Sequence, residues 1–87
     1  MGLESAIFTL ARLAELEDAL LAIAEVMRTG ARKPHEHWRA YPATHHLEHA
    51  RAHLERLAEG DRSEEHLAHA ATRLLMALAT KVQPHER

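Results

Sequence analysis

Two stretches of the chain gather most of its titratable chemistry. His45-His46-Leu47-Glu48-His49-Ala50-Arg51-Ala52-His53 and Glu65-His66-Leu67-Ala68-His69 together carry six of the nine histidines. Imidazole titrates near neutrality, transfers protons and ligates metals, so this clustering sets the first question. At about 100° per residue along a helix, Leu47, Ala50, Leu54 and Leu57 form an apolar stripe edged by His46, His49 and His53. In the second stretch the stripe is Leu67, Ala70, Leu74, Ala77 and Leu78, edged by His66, His69 and Arg73. If the two helices pack antiparallel, both edges line one seam.

Along that seam His45 and His49, or His49 and His53, stand four residues apart, and His66 and His69 stand three apart. Either spacing lets one helix face present two imidazoles to a single ion. Glu48, Glu64 and Glu65 can complete or orient such a site. The expected metal ligands are His49, His53, Glu64, Glu65, His66 and His69. The competing reading is the ordinary one, histidine as a partly exposed helix residue bonded to its neighbours. Neither H-E-x-x-H nor a His-Asp dipeptide occurs, so no named metal motif decides between them.

A second kind of chemistry lies in Arg32-Lys33-Pro34-His35-Glu36-His37-Trp38-Arg39-Ala40-Tyr41, which holds the only Trp and Tyr beside three basic residues. Their rings can stack on a base, and Arg32, Lys33 and Arg39 can pair with phosphate. A lone Trp more often plugs a small core. Arg39, beside a histidine seam, has less structural use. A third candidate is Glu15 with Asp18, an E-x-x-D pair of the kind that holds magnesium, although a solvated charged face explains it as well.

The elements that must position these groups are helices. Leu3, Ile7, Leu10, Ala14, Leu21 and Ala24 keep a helical period up to Gly30, while Leu13, Leu16, Leu20, Ile23 and Met27 widen the apolar surface. This first helix is either continuous or broken near Asp18, which could cap a second segment. Gly30 to Thr44 is irregular, with two prolines and one glycine. Thr44 could cap the next helix, His45 to about Glu59, which Gly60 ends. Asp61 or Ser63 could cap the last helix, which runs to about Val82, and residues 83–87 read as a frayed tail.

Composition sets limits on all of this. The chain has 87 residues, rich in Ala, Leu, Glu, Arg and His, with three aromatic residues of the Phe, Trp and Tyr kind. It therefore makes a single all-α domain: a small bundle of three to four helices, completed by oligomerisation because so many of its apolar residues are alanines. Lys plus Arg is 11 against 13 for Asp plus Glu, which makes nucleic acid an unlikely partner. Cysteine is absent, which excludes disulfides and thiolate zinc sites. No apolar run approaches the roughly 18 residues of a membrane span. The amino terminus has Glu4 where a signal peptide wants positive charge, so a cytoplasmic location is expected.

The order of several short motifs resembles a known family. Gly30-Ala31-Arg32-Lys33, His37-Trp38-Arg39, Ala52-His53-Leu54, Gly60-Asp61 and His66-Leu67-Ala68-His69-Ala70 follow one another over roughly residues 17 to 80. This resembles the dATP/dGTP diphosphohydrolase N-terminal-like family, a small, largely phage-borne domain distantly akin to the all-α nucleotide pyrophosphatases. Its pattern reads G-A-x-K, N-W-R, R-H-L, a G-E-D-type turn and H-L-A-H-A. Here His37 replaces the Asn, Ala52 replaces the Arg before His53, and the turn after Gly60 is shorter. Residues 1–16 find no counterpart in the pattern and read as a helical extension, with 17–82 as the core.

The resemblance implies a nucleotide-hydrolysing role and favours Lys33, Trp38, Arg39, His53, His66 and His69. The leading expectation is a metal-dependent pyrophosphohydrolase of (deoxy)purine nucleoside triphosphates. Its catalytic residues would be His53, His66 and His69, and Lys33, Trp38, Arg39 and Arg73 would hold substrate. Its cofactor would be a divalent ion, Mg²⁺ or Mn²⁺, with Zn²⁺ as the alternative. The rival is a non-catalytic helical module that self-associates, with the histidines as structure or as a pH-sensitive interface. The first expects converging histidines and a polar pocket by the loop. The second expects scattered histidines and a buried Trp38.

Overall fold

The computed structural model describes residues 10–30 and 37–82. Among them are three α-helices and no strand: α1 (Glu17–Gly30), α2 (Ala43–Ala58) and α3 (His66–Val82). Residues 10–13 are also helical, and a 3₁₀ turn, Ala14–Leu16, links them to α1. Leu13 and Glu17, on either side of that turn, keep right-handed helical dihedrals. The first helix thus tightens before Asp18 rather than breaking there. Val82 ends α3 as the sequence suggests, while the expected frayed tail lies outside the described residues.

Helix α3 is the hub, packing against both α1 and α2, with a second 3₁₀ turn (Trp38–Ala40) against it. His53 meets His66, and seven residues earlier on α2, His46 meets Arg73, seven residues later on α3. That register belongs to an antiparallel hairpin. Its connection is set by Gly60, whose φ of 89° a side chain would oppose. The Gly60 N–H donates to the Leu57 carbonyl (3.0 Å) and the Asp61 N–H to the Arg56 carbonyl (3.0 Å). These two bonds form a Schellman motif, which ends α2 and fixes where Asp61 emerges. Neither Thr44 nor Ser63 caps a helix: Pro42 occupies the N-cap of α2, placing Thr44 inside it.

The faces of the hairpin are rotated from the expected stripes. Ala50, Ala70 and Ala77 are its buried apolar residues, accompanied by His46, His66 and Thr72. Leu47, Leu54, Leu67, Leu74 and Leu78, all placed on the apolar stripes by periodicity, are instead exposed. Small side chains let the two backbones approach, and the imidazoles between them find hydrogen-bond partners. Each alanine methyl contributes only about 0.8 kcal/mol of burial, so polar bonds carry an unusual share of this interface. Helix α1 has no buried residue at all.

Candidate metal centre and ligand groove

The seam between α2 and α3 holds two separate histidine arrangements. Near the turn, His53 Nδ1 lies 2.9 Å from His66 Nδ1, and His66 Nε2 lies 3.0 Å from Asp61 Oδ2. A carboxylate can only accept, so His66 donates its Nε2–H to Asp61. With both rings neutral, His66 Nδ1 is then a bare lone pair and His53 donates to it. Asp61 also accepts the Ser63 N–H (2.9 Å) in an Asx turn. That bond first, and His66 second, hold its carboxyl down to about 2. His66 is fully enclosed, 1 % exposed. Burial, then the neighbouring His69 and His66, push the His53 imidazole below its usual range, with Glu64 opposing them.

The donor atoms of His53, Glu64 and His66 all lie within 4.8 Å of one another. Among the described residues this is the one group of three with that proximity. His69 stands just beside it, its ring centroid 5.0 Å from that of His53 and its Nε2 3.7 Å from Glu64 Oε1. The other two residues read as ligands from sequence lie outside that group: His49 stacks obliquely on His45 at 4.5 Å, and Glu65 is exposed.

At the other end of the seam sits His46, 0 % exposed. An Arg73 guanidinium N–H donates to its Nδ1 (3.0 Å), and its Nε2–H donates to the Trp38 carbonyl (2.9 Å). Arginine has no acceptor, so the ring is neutral and its tautomer fixed. Burial and then the Arg73 charge hold its pKa low, against the pull of the Trp38 bond. One side chain thereby ties the aromatic loop to both helices. His37 caps the loop's 3₁₀ turn by accepting the Arg39 N–H at Nδ1 (3.2 Å). That is a role asparagine also performs, which explains how histidine can stand at the position of the family's Asn.

A groove of about 1250 Å³ opens between α1, the loop and the hairpin. Trp38, Tyr41, His49, Glu65, His69 and Arg73 are among its walls, so His69 belongs to both the groove and the histidine cluster. Trp38 is half-buried and carries the Arg39 guanidinium 4.4 Å above its ring. Tyr41 is stacked on His45 at 4.3 Å. Lys33 lies outside the described residues. The Glu15 carboxylate pairs with Arg12 on the exposed face of the first helix.

Of the residues that reasoning on sequence singled out, His53, His66, His69 and Glu64 converge, and Trp38 and Arg73 share a groove with His69. The sequence reading missed two residues. In sequence Asp61 has the look of a cap or turn residue, and its five-residue separation from His66 is no helical period. His46 was placed on the correct edge, but nothing local marks it as the residue that holds both Trp38 and Arg73.

No helix among the described residues is long and apolar enough to cross a membrane. No curated protein and no solved structure matches the chain. The model of one family, described as dATP/dGTP diphosphohydrolase, N-terminal, matches residues 7–87. With nearly its whole length matched, and with described residues that form helices and no strand, the chain belongs to the dATP/dGTP diphosphohydrolase N-terminal family.

Proposed function

We propose that this domain binds a (deoxy)purine nucleoside triphosphate in the groove and, with a divalent metal ion, hydrolyses it to the monophosphate and pyrophosphate. The observation that carries this reading is the position of His69, which lines the groove and is in ring contact with His53 of the three-donor group. His69 therefore links the groove wall, where Arg73 also stands, to the three-donor group behind it. Arg73 would pair with phosphate oxygens through the guanidinium nitrogens that His46 does not engage. Trp38, backed by Arg39, would wall in the base. Lys33 is assigned to the phosphates by the family's G-A-x-K pattern alone.

The residues suit a divalent ion, since two imidazoles and a carboxylate bring their donor atoms together. His53, His66 and Glu64 would hold it, while His49 and Glu65 line the groove rather than this group. When bound, such an ion supplies positive charge to the phosphoryl oxygens and makes nearby water more acidic. His69, half-exposed to the groove, would accept the proton of the attacking water. Water adds at the α-phosphorus, the bond to the bridging oxygen breaks, and pyrophosphate carries away the electron pair.

Pyrophosphate release from deoxy- and ribonucleoside triphosphates, with Mg²⁺, Mn²⁺ or Zn²⁺, tests the proposal. We expect metal-dependent turnover that falls at least about 100-fold in His53→Ala and His69→Ala. No turnover with any pair, from a folded protein, would overturn the enzyme reading.

A second reading, a self-associating module without catalysis, has its own supporting observation. Leu13, Leu16, Leu20, Ile23 and Met27 alternate three- and four-residue spacings, the seam of a coiled coil. Of these, Leu13, Leu16, Leu20 and Met27 are exposed. A second copy laid along this helix would cover them, and it is compatible with either function. Leu13→Glu/Leu20→Glu should halve the mass seen by light scattering, and an unchanged mass would exclude this face as the contact.

A further inference from the structure

We infer that the His53–Glu64–His66 group is a site for a borderline transition ion of the Zn²⁺ or Co²⁺ class rather than Mg²⁺, with Asp61 as the positioning residue that presents His66 to it. The inference deepens the proposed function, because it concerns the metal of that same site.

Donor chemistry decides the ion. Mg²⁺ takes oxygen ligands in a near-octahedral shell and keeps much of its water. Two of the three converging donors here are imidazole nitrogens, which suit Zn²⁺ and its neighbours in the first transition row. Three protein ligands also leave a coordination position open for water or a phosphate oxygen, as in zinc sites that do chemistry. The two Nδ1 atoms, now 2.9 Å apart, need to part by only about 0.5 Å to become neighbouring ligands at zinc–nitrogen bond lengths.

Asp61 supplies what such a site needs behind its ligands. By accepting the Nε2–H of His66 at 3.0 Å, it fixes the tautomer whose free lone pair is on Nδ1, facing His53. This is the carboxylate–histidine arrangement that orients and strengthens a metal-bound imidazole. Asp61 is itself placed by the Gly60 turn and by the Ser63 N–H, so the carboxylate is preset before any ion arrives. His53 has only to transfer its proton from Nδ1 to Nε2, a change of tautomer without change of charge. The residues that build the site thus come from the end of α2, the turn and the start of α3.

Calorimetric titration of the full chain with Zn²⁺, Co²⁺ and Mg²⁺, each without nucleotide, tests the inference. We expect one equivalent of Zn²⁺ or Co²⁺ to bind where Mg²⁺ does not, with Co²⁺ showing the intense visible absorption of low coordination number. Asp61→Asn should weaken Zn²⁺ binding by about 10–100-fold while the circular dichroism spectrum stays helical. His66→Ala could unfold so enclosed a site, so imidazole nitrogen resonances of the native protein give a second readout. His66 Nε2 should carry the proton without metal, and the Nδ1 resonances of His53 and His66 should shift on adding Zn²⁺. Equal affinity for Mg²⁺, no effect of Asp61→Asn, or unshifted Nδ1 resonances would each overturn the inference. Nucleotide hydrolysis with Mg²⁺ alongside any of these would leave the proposed function standing. Zn²⁺ binding without turnover would do the reverse.

Discussion

The hairpin of α2 and α3 and the helix α1 solve opposite problems. The hairpin buries His46, His66 and Thr72 among alanines and turns most of its leucines outward. Helix α1 has no fully buried residue, half-buries Ile23 and Val26, and leaves Leu20, Leu21 and Met27 exposed. A protein built for stability alone would place leucine in the hairpin seam, because each leucine buried there would contribute about 2 kcal/mol or more. Polar groups there contribute less and must all be paired. The seam is therefore organised around the placement of imidazoles.

Substitutions in the hairpin should sharpen this contrast, beginning with its most enclosed side chain. His66→Ala removes the bonds to Asp61 and His53 and leaves a cavity beside two polar groups. It should lower stability by about 3 kcal/mol, read as a fall in the urea midpoint. His46→Ala releases the Trp38 carbonyl and Arg73, for about 2 kcal/mol. It should also red-shift Trp38 fluorescence as the loop detaches, a change that His66→Ala need not produce.

Acid probes the same seam without mutation. His46 and His53 bind protons less readily in the folded chain than at the ordinary 6.5, so the unfolded state takes up more protons as pH falls. Their contribution is fully present above pH 6.5 and declines as pH drops through their lowered values. Asp61 adds a later loss, between 3.8 and about 2. Urea midpoints measured from above 6.5 to below 3.8 should therefore fall in two stages, and a flat response above pH 4 would show that the seam histidines do not titrate against the fold.

Smaller effects are expected at the margins. The Thr80 hydroxyl is buried and finds no hydrogen-bond partner among the described residues, so Thr80→Val should stabilise by about 0.5–1 kcal/mol. Arg51 bridges Glu48 and Glu55 on the open surface of α2. Its replacement by Ala should leave the urea midpoint unchanged, as solvated pairs usually do.

Helical class, the Gly60 turn and the pairing of two histidine edges were all legible in the sequence, because glycine and 3.6-residue periodicity act locally. Which side of each helix faces inward was legible only in part: the stripe alanines Ala50, Ala70 and Ala77 are buried, whereas most stripe leucines are exposed. Periodicity ranks leucine above histidine as a core residue, and only the pairing of His46 with Arg73 and His66 with Asp61 reverses that order. Those partners lie on other elements, so no single window of sequence contains them. The convergence of His53, Glu64 and His66 could be anticipated from an antiparallel seam, whereas Asp61 required the turn itself.

A resonance titration of the zinc-loaded protein with a non-hydrolysable dATP analogue tests directly whether nucleotide occupies the groove beside the metal group. Shifts should concentrate at the Trp38 indole, the Arg73 side chain and the His69 ring, saturating together. Shifts confined to the outer leucines of α1, or none at any of the three groove residues, would contradict that occupancy.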